Sequence, residues 1–141
     1  MKTSATIPPG YAPAPLDEGF LDLVGPLHAK RGADGVHMIA FRAGAAHVNR
    51  YGVVHGGMLA TLADVAIGMN LARVTDAVET TLTLNLAMDF IDASSAGDWI
   101  EAHVALTKIA GRVRFGDCEL RVGTRVIARG HATFYAPRPG A

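Results

Sequence analysis

The stretch Gly56–Arg73 constrains this chain more than any other. It holds no proline and is apolar almost throughout. Turned at about 100° per residue, Met58, Leu59, Leu62, Val65, Ala66 and Met69 fall on one broad side. Ala60, Ala63, Ile67 and Leu71 fill the gaps, and Gly57, Thr61, Asp64 and Gly68 form a narrow stripe one turn apart. A helix this apolar all round must be mostly buried. The rest of the chain therefore has to wrap it.

The chain beyond this helix reads as strands. Val78–Ile91 alternates, with Leu82, Leu84, Leu86, Met88 and Phe90 on one face and Thr81, Thr83, Asn85, Ala87 and Asp89 on the other. Trp99–Ile109, Arg112–Val122 and Arg125–Tyr135 are three more strands, joined by Ala110-Gly111 and Gly123-Thr124. Such short connections favour an antiparallel meander. In Arg112–Val122, Val113 and Phe115 have one parity while Cys118, Leu120 and Val122 have the other, which calls for a bulge near Gly116. Before the long helix, Leu16–Leu27 opens with Asp17-Glu18 and continues with apolar residues to Gly25-Pro26, a short helix. Pro26–Arg31 and Val36–Ala43 flank the turn signal Gly32-Ala33-Asp34-Gly35, a hairpin. Residues 1–15, with Pro8, Pro9, Pro13 and Pro15, read as a loose tail, with folding over a partner subunit as the alternative. The architecture is α+β: one domain over residues 16–137, a curved antiparallel sheet around one central helix.

Composition narrows the function. Of 141 residues, half are hydrophobic, enough for a real core. Lys+Arg and Asp+Glu are 13 each, so no global field gathers nucleic acid or an anionic membrane. Met58–Ala72 is too short to span a bilayer and contains Asp64. The single Cys118 cannot form an internal disulfide, and no signal peptide is visible, so a cytoplasmic setting is expected. Cys118 sits in a strand with no evident base and reads as core. His28, His37, His47, His103 and His131 lack close metal-ligand spacing, and neither a metal nor a redox cofactor is expected.

The chemistry concentrates in Asn49-Arg50-Tyr51-Gly52-Val53-Val54-His55-Gly56-Gly57, followed by Asp64. A helix N-terminus presents free N–H groups and a partial positive charge. Gly56 would let a carbonyl approach its N–H closely, the geometry of an oxyanion hole. His55 could orient or polarise the same oxygen, and Asn49 offers an amide donor. The plainer reading is a tight turn with a capping His and Asn. Asp64 is harder to dismiss. Its i±3 and i±4 neighbours are Ala60, Thr61, Ile67 and Gly68, so it has no intrahelical cation. A carboxylate in a buried helix costs stability unless it is paired or solvated. It is a functional-site candidate, against the structural alternative of a hydrogen bond to Thr61 or a neighbouring strand.

Asn49-x5-His55-Gly56-Gly57-x6-Asp64 resembles the signature of hotdog-fold thioesterases of the phenylacetate-degradation (PaaI-like) type. The resemblance runs from about Phe20 to Pro137 and includes Phe90-Ile91-Asp92, Gly97 and Gly111-Arg112. Ala93 departs from it where relatives often carry Pro. The resemblance implies an acyl-CoA thioesterase with Asp64 as nucleophile or general base and the Gly56 N–H polarising the thioester carbonyl. His55 and Asn49 would support the oxyanion end. A water-orienting hydroxyl on the next strand aligns with Thr83, with Thr81 as the fallback. Gly57 and Thr61 would line the substrate site, and Arg112 would meet coenzyme A phosphates, although such an Arg is more often a solvated surface residue. It also implies dimers paired into tetramers. Spacing argues independently for two chains: eight residues of helix separate Gly56 from Asp64 by about 12 Å, too far for one reacting carbonyl to touch both. The stripe Gly57, Thr61, Asp64 and Gly68 would then face the shared site. The rival readings are a hotdog-fold hydratase or dehydratase and a non-catalytic acyl-CoA binding protein.

Overall fold

The computed structural model describes residues 6–16, 19–73 and 80–138. In chain order the elements are β1 (Ala12–Pro13), α1 (Phe20–Val24), β2 (His28–Arg31), β3 (His37–Arg42), α2 (Gly56–Ala72), β4 (Leu82–Phe90), β5 (Trp99–Lys108), β6 (Val113–Val122) and β7 (Arg125–Tyr135). The strands form one antiparallel sheet in the order β1-β2-β3-β5-β6-β7-β4, curved around the single long helix α2. This is the α+β hotdog architecture. No helix among the described residues is long and apolar enough to cross a membrane.

The core explains why α2 is apolar all round. Leu62, Ala63, Ala66, Ile67 and Leu71 meet Ile39, Phe41, Ile100, Leu120 and Ile127 of the sheet, all fully buried. Each large side chain contributes about 1.5–3 kcal/mol of burial. On its other flank α2 is overlain by the segment carrying α1, whose Leu16, Leu21 and Val24 pack half-buried against the same core. Two glycines set how closely helix and sheet approach. A Cβ at Gly116 would stand 2.7 Å from Ile67 Cγ2, and one at Gly68 2.7 Å from the Phe134 ring.

Three expectations need correction. First, β6 does not bulge at Gly116. Arg114, Gly116, Cys118 and Leu120 all face inward in unbroken alternation, and Val113 and Phe115 remain 38% and 39% exposed. The irregularity lies opposite, between Leu106 and Lys108 of β5. The inward place assigned to an apolar residue is taken by Arg114, buried because its Nη1 donates to Leu71 O (2.8 Å) and its Nε to Gly111 O (3.0 Å).

Second, β4 does not alternate strictly. Its register against β7 slips between Thr83 and Asn85, making Leu84 the extra residue. The slip exchanges the faces. Thr81 and Thr83 reach the helix, and beyond the slip Leu86 and Met88 pack towards the core. Leu82 and Leu84 are left 53% and 59% exposed. Residues 78 and 79 of the expected strand lie outside the described residues.

Third, the Pro-rich segment is strapped to the outer face of the sheet from Thr6 onward. Ala12 and Pro13 pair with Ala29 and His28 of β2. Pro13 is tolerated because β1 is an edge strand. Tyr11 packs edge-on against Trp99, with ring centroids 5.0 Å apart, and its hydroxyl donates to the Glu101 carboxylate. Burial and that acidic neighbour hold the Tyr11 phenol well above its ordinary pKa. Arg42 Nη2 donates to Thr6 O (2.8 Å). Composition suggested a chain without helix or core; it could not show that one aromatic residue finds a seat.

Candidate active site

The loop before α2 is built on two side chains. Asn49 Oδ1 accepts from Tyr51 N–H (2.9 Å) and Val53 N–H (3.2 Å), folding residues 49–53 into a tight turn. Asn49 therefore spends its oxygen on the loop, and only its amide NH2 is left for a ligand. His47 is buried. Its Nδ1 accepts from Gly44 N–H (2.9 Å), so its Nε2 carries the proton and donates to Val24 O (2.6 Å) at the end of α1. Its carbonyl also accepts from His55 N–H (2.8 Å). His47 thus joins α1, the loop and the start of α2. Sequence reasoning set it aside as a non-ligand, and no spacing signal marked this role.

His55 is the N-cap of α2. Its Nδ1 accepts from Gly57 N–H (2.9 Å), and its carbonyl accepts from Met58 and Leu59 N–H. Gly56 N–H has no acceptor among the described residues and lies at the positive end of a 17-residue helix. The ring of Phe90 stands over this position: a Cβ on Gly56 would come within 3.2 Å of its Cζ. A side chain here would press on that ring, which would have to give by a few tenths of an ångström.

Asp64 lies two turns further along α2, half-buried rather than sealed. Thr83 Oγ1 donates to its Oδ1 at 2.7 Å. The bulge at Leu84 makes this contact possible, because it lets Thr83 and Leu86 both face the helix. Asp64 Oδ2 has no hydrogen bond among the described residues. Thr81 sits further along, donating to Gly68 O (3.3 Å). The structure thus brings Asp64 and Thr83 together and leaves Gly56 apart from them.

Two hollows flank this part of α2. One of about 330 Å³ is lined by Phe20, Leu23, His47, His55, Gly57 and Thr61. The other, about 430 Å³, holds Asp64 among Phe20, Leu21, Ala60, Val65 and Leu86. Phe20 and Thr61 belong to both. The Thr61 hydroxyl is turned back to Gly57 O (2.8 Å), so Thr61 offers the hollows its methyl group. Gly68 leaves room for Phe134 by its missing side chain, and it also borders a hollow that holds Asp64. Arg112 stands in the β5–β6 connection, where its carbonyl accepts from Ala136 N–H (2.7 Å); its side chain lines neither hollow. A further hollow of about 460 Å³ lies on the opposite face of the sheet among Asp89, His103, Glu119, Arg129 and His131, away from Asp64.

Chemically, the arrangement offers one carboxylate steered by a hydroxyl, one free N–H at a helix N-terminus, and apolar hollows along the helix between them. Residues 51–129 match the thioesterase superfamily. A Pseudomonas aeruginosa protein that carries the name of an esterase is 33% identical over 131 residues, covering 93% of this chain and 98% of its own. Among solved structures, a mutant of the phenylacetic acid degradation protein PaaI from Thermus thermophilus has a TM-score of 0.71 at 24% identity, over 84% of this chain and 98% of that one. A Bacillus halodurans protein solved with CoA has a TM-score of 0.70 at 21% identity, over 78% and 73%. The chain belongs to the thioesterase superfamily, and its fold is the hotdog fold shared with PaaI proteins.

Proposed function

We propose that this protein is an acyl-CoA thioesterase, hydrolysing an acyl thioester to a carboxylic acid and free CoA in a site shared by two chains. The observation that carries this reading is Asp64: a half-buried carboxylate oriented by Thr83 and open to an apolar hollow. Asp64 acts as nucleophile or as general base towards water. The Thr83 proton is committed to Asp64, so its lone pairs remain to accept from that water. The Gly56 N–H polarises the thioester carbonyl, with His55 fixing the first turn and the Asn49 amide close to the oxyanion end. Arg112 is assigned to a CoA phosphate, and no metal or redox cofactor enters the reaction.

The need for a second chain rests on geometry. Gly56 and Asp64 of one helix are about 12 Å apart along its axis. β4 closes one end of the sheet, so one edge of its backbone has no strand partner among the described residues. An edge of this kind invites pairing. α2 runs antiparallel to β4, with Gly56 beside Phe90 and Asp64 beside Thr83. A two-fold axis near Leu86, between those points, would join β4 to its copy and set Gly56 of one helix opposite Asp64 of the other. Two equivalent sites result. Pairing of such dimers would give the tetramer.

The test is thiol release from acyl-CoAs by the wild type, then mixing of two impaired variants, Asp64→Asn and His55→Ala. In a randomly mixed dimer one of the two sites is intact, so about a quarter of wild-type activity should return. Thiol release with no recovery after subunit exchange would place the whole site within one chain. An active monomer by light scattering would do the same.

A further inference from the structure

We infer that the acyl group lies in a trough between α2 and the α1 segment, and that Leu21 and Val65 set the chain length accepted. The inference rests on the thioesterase reading above and extends it to the substrate's acyl end. The hollow beside Asp64 continues into a second one of about 340 Å³, running past Leu16, Met69 and Ala72. The two share Asp64, Val65 and Leu21. Together they form one trough, with α2 as floor and Pro15, Leu16 and Leu21 as roof. Val65 comes directly after the reacting carboxylate, and Leu21 faces it from the roof, so these two side chains form a waist.

The lining defines the class of acyl group. Around the waist it is aliphatic, and among the described residues the only charge beside the reacting carbonyl is Asp64 itself. A tail carrying its own carboxylate would meet like charge there, and among the described residues the one cation in the trough, Arg73, is at the far end. From Asp64 to Ala72 the floor extends about 12 Å. That length accommodates a medium straight chain such as octanoyl and leaves the end of palmitoyl outside. Phe20 closes the other direction, towards His55 and Gly57, because it stands between the two hollows along α2.

The experiment is a chain-length profile of kcat/KM on the full chain with acetyl-, butyryl-, octanoyl-, palmitoyl- and succinyl-CoA. The expected profile rises by roughly fourfold per buried methylene up to octanoyl and falls for palmitoyl. Succinyl-CoA should lie at least about tenfold below butyryl-CoA. Val65→Phe should lower the octanoyl-to-acetyl ratio by about tenfold or more, and Leu21→Ala should move the preference to longer chains. The double variant should regain part of the lost ratio, which general damage would not do. Melting curves confirm that each variant folds; if Val65→Phe does not, Leu21→Ala carries the test. A wild type that hydrolyses no thioester overturns both the thioesterase reading and this inference. A wild type that hydrolyses them with a flat profile, or with a profile unmoved in the folded variants, overturns this inference alone.

Discussion

The two ends of α2 are treated in opposite ways. At the C-terminal end the two buried polar side chains, Asn70 and Arg114, are both matched. Asn70 is buried, yet its Oδ1 accepts from His37 N–H (2.8 Å) and its Nδ2 donates to His37 O (2.8 Å) and Ala66 O (2.9 Å). It stands in for a strand partner at the start of β3. Arg114 places a cation on Leu71 O, where the helix dipole is negative. At the N-terminal end His55 caps Gly57 but leaves Gly56 N–H free, and Asp64 keeps one carboxylate oxygen without a partner among the described residues. One helix thus has an end built for stability and an end with reactive groups left open. The difference separates polar residues that hold the fold from those available to a substrate.

The comparison breaks most visibly at Asp64. Asp64→Asn keeps size and can still accept from Thr83, but it loses the charge. Turnover should fall about a thousandfold or more. The melting temperature should hold or rise, because a neutral amide carries less desolvation cost. A destabilised variant with full turnover would move Asp64 to the structural end of the comparison. Next in size is the closed end. Arg114→Met removes buried bonds to two carbonyls and should lower stability by about 3 kcal/mol, read by denaturant titration, with turnover per folded molecule near wild type. A large loss of turnover at unchanged stability would blur the division.

The strand sharpens the same contrast. Thr83→Ala should slow turnover by about ten- to a hundredfold, with Thr81→Ala having less effect, since Thr81 only meets a helix carbonyl. The opposite order would make Thr81 the orienting residue. Cys118 serves as the control outside both ends. Burial pushes its thiol up to about 12 from 9.0. Its share of stability is therefore intact below about pH 9 and is lost as pH rises towards 12. Between pH 7 and 8.5 no change is expected, and the native thiol should resist alkylation; rapid labelling at pH 8 would show that the core opens.

Much of this was legible in local sequence. α2 and β7 fall where apolar runs and short turns put them, although β7 slips against β6 at Ile127, which the run did not show. Asp64 stood out for want of a helical partner. Strict alternation failed in β4 because the slip at Leu84 is decided by pairing with β7, about fifty residues downstream. Thr83 was placed by family resemblance, whereas alternation alone assigned it to the face away from Leu86. Arg114 was invisible as a cap because a charged residue in a strand ordinarily reads as solvent-facing. The strap was missed because its anchor, Glu101 with Trp99, lies some ninety residues from Tyr11.

The slip in β4 makes strand pairing, and not parity in the sequence, decide which side chains reach the helix. Thr83 and Leu86 differ by three positions, an odd number, yet both face α2 because Leu84 is left over. A substitution at Leu84 alters one exposed side chain. Paired without the slip, the same residues could offer the helix either Thr83 or the apolar residues beyond it, but not both; deleting Leu84 would instead leave Thr83 and Leu86 two positions apart and on one face by plain alternation. The shortened strand would still pair with β7 and look unchanged in outline. A lineage that lost this one residue would keep the fold and keep both Thr83 and Leu86 towards the helix, with the strand made regular.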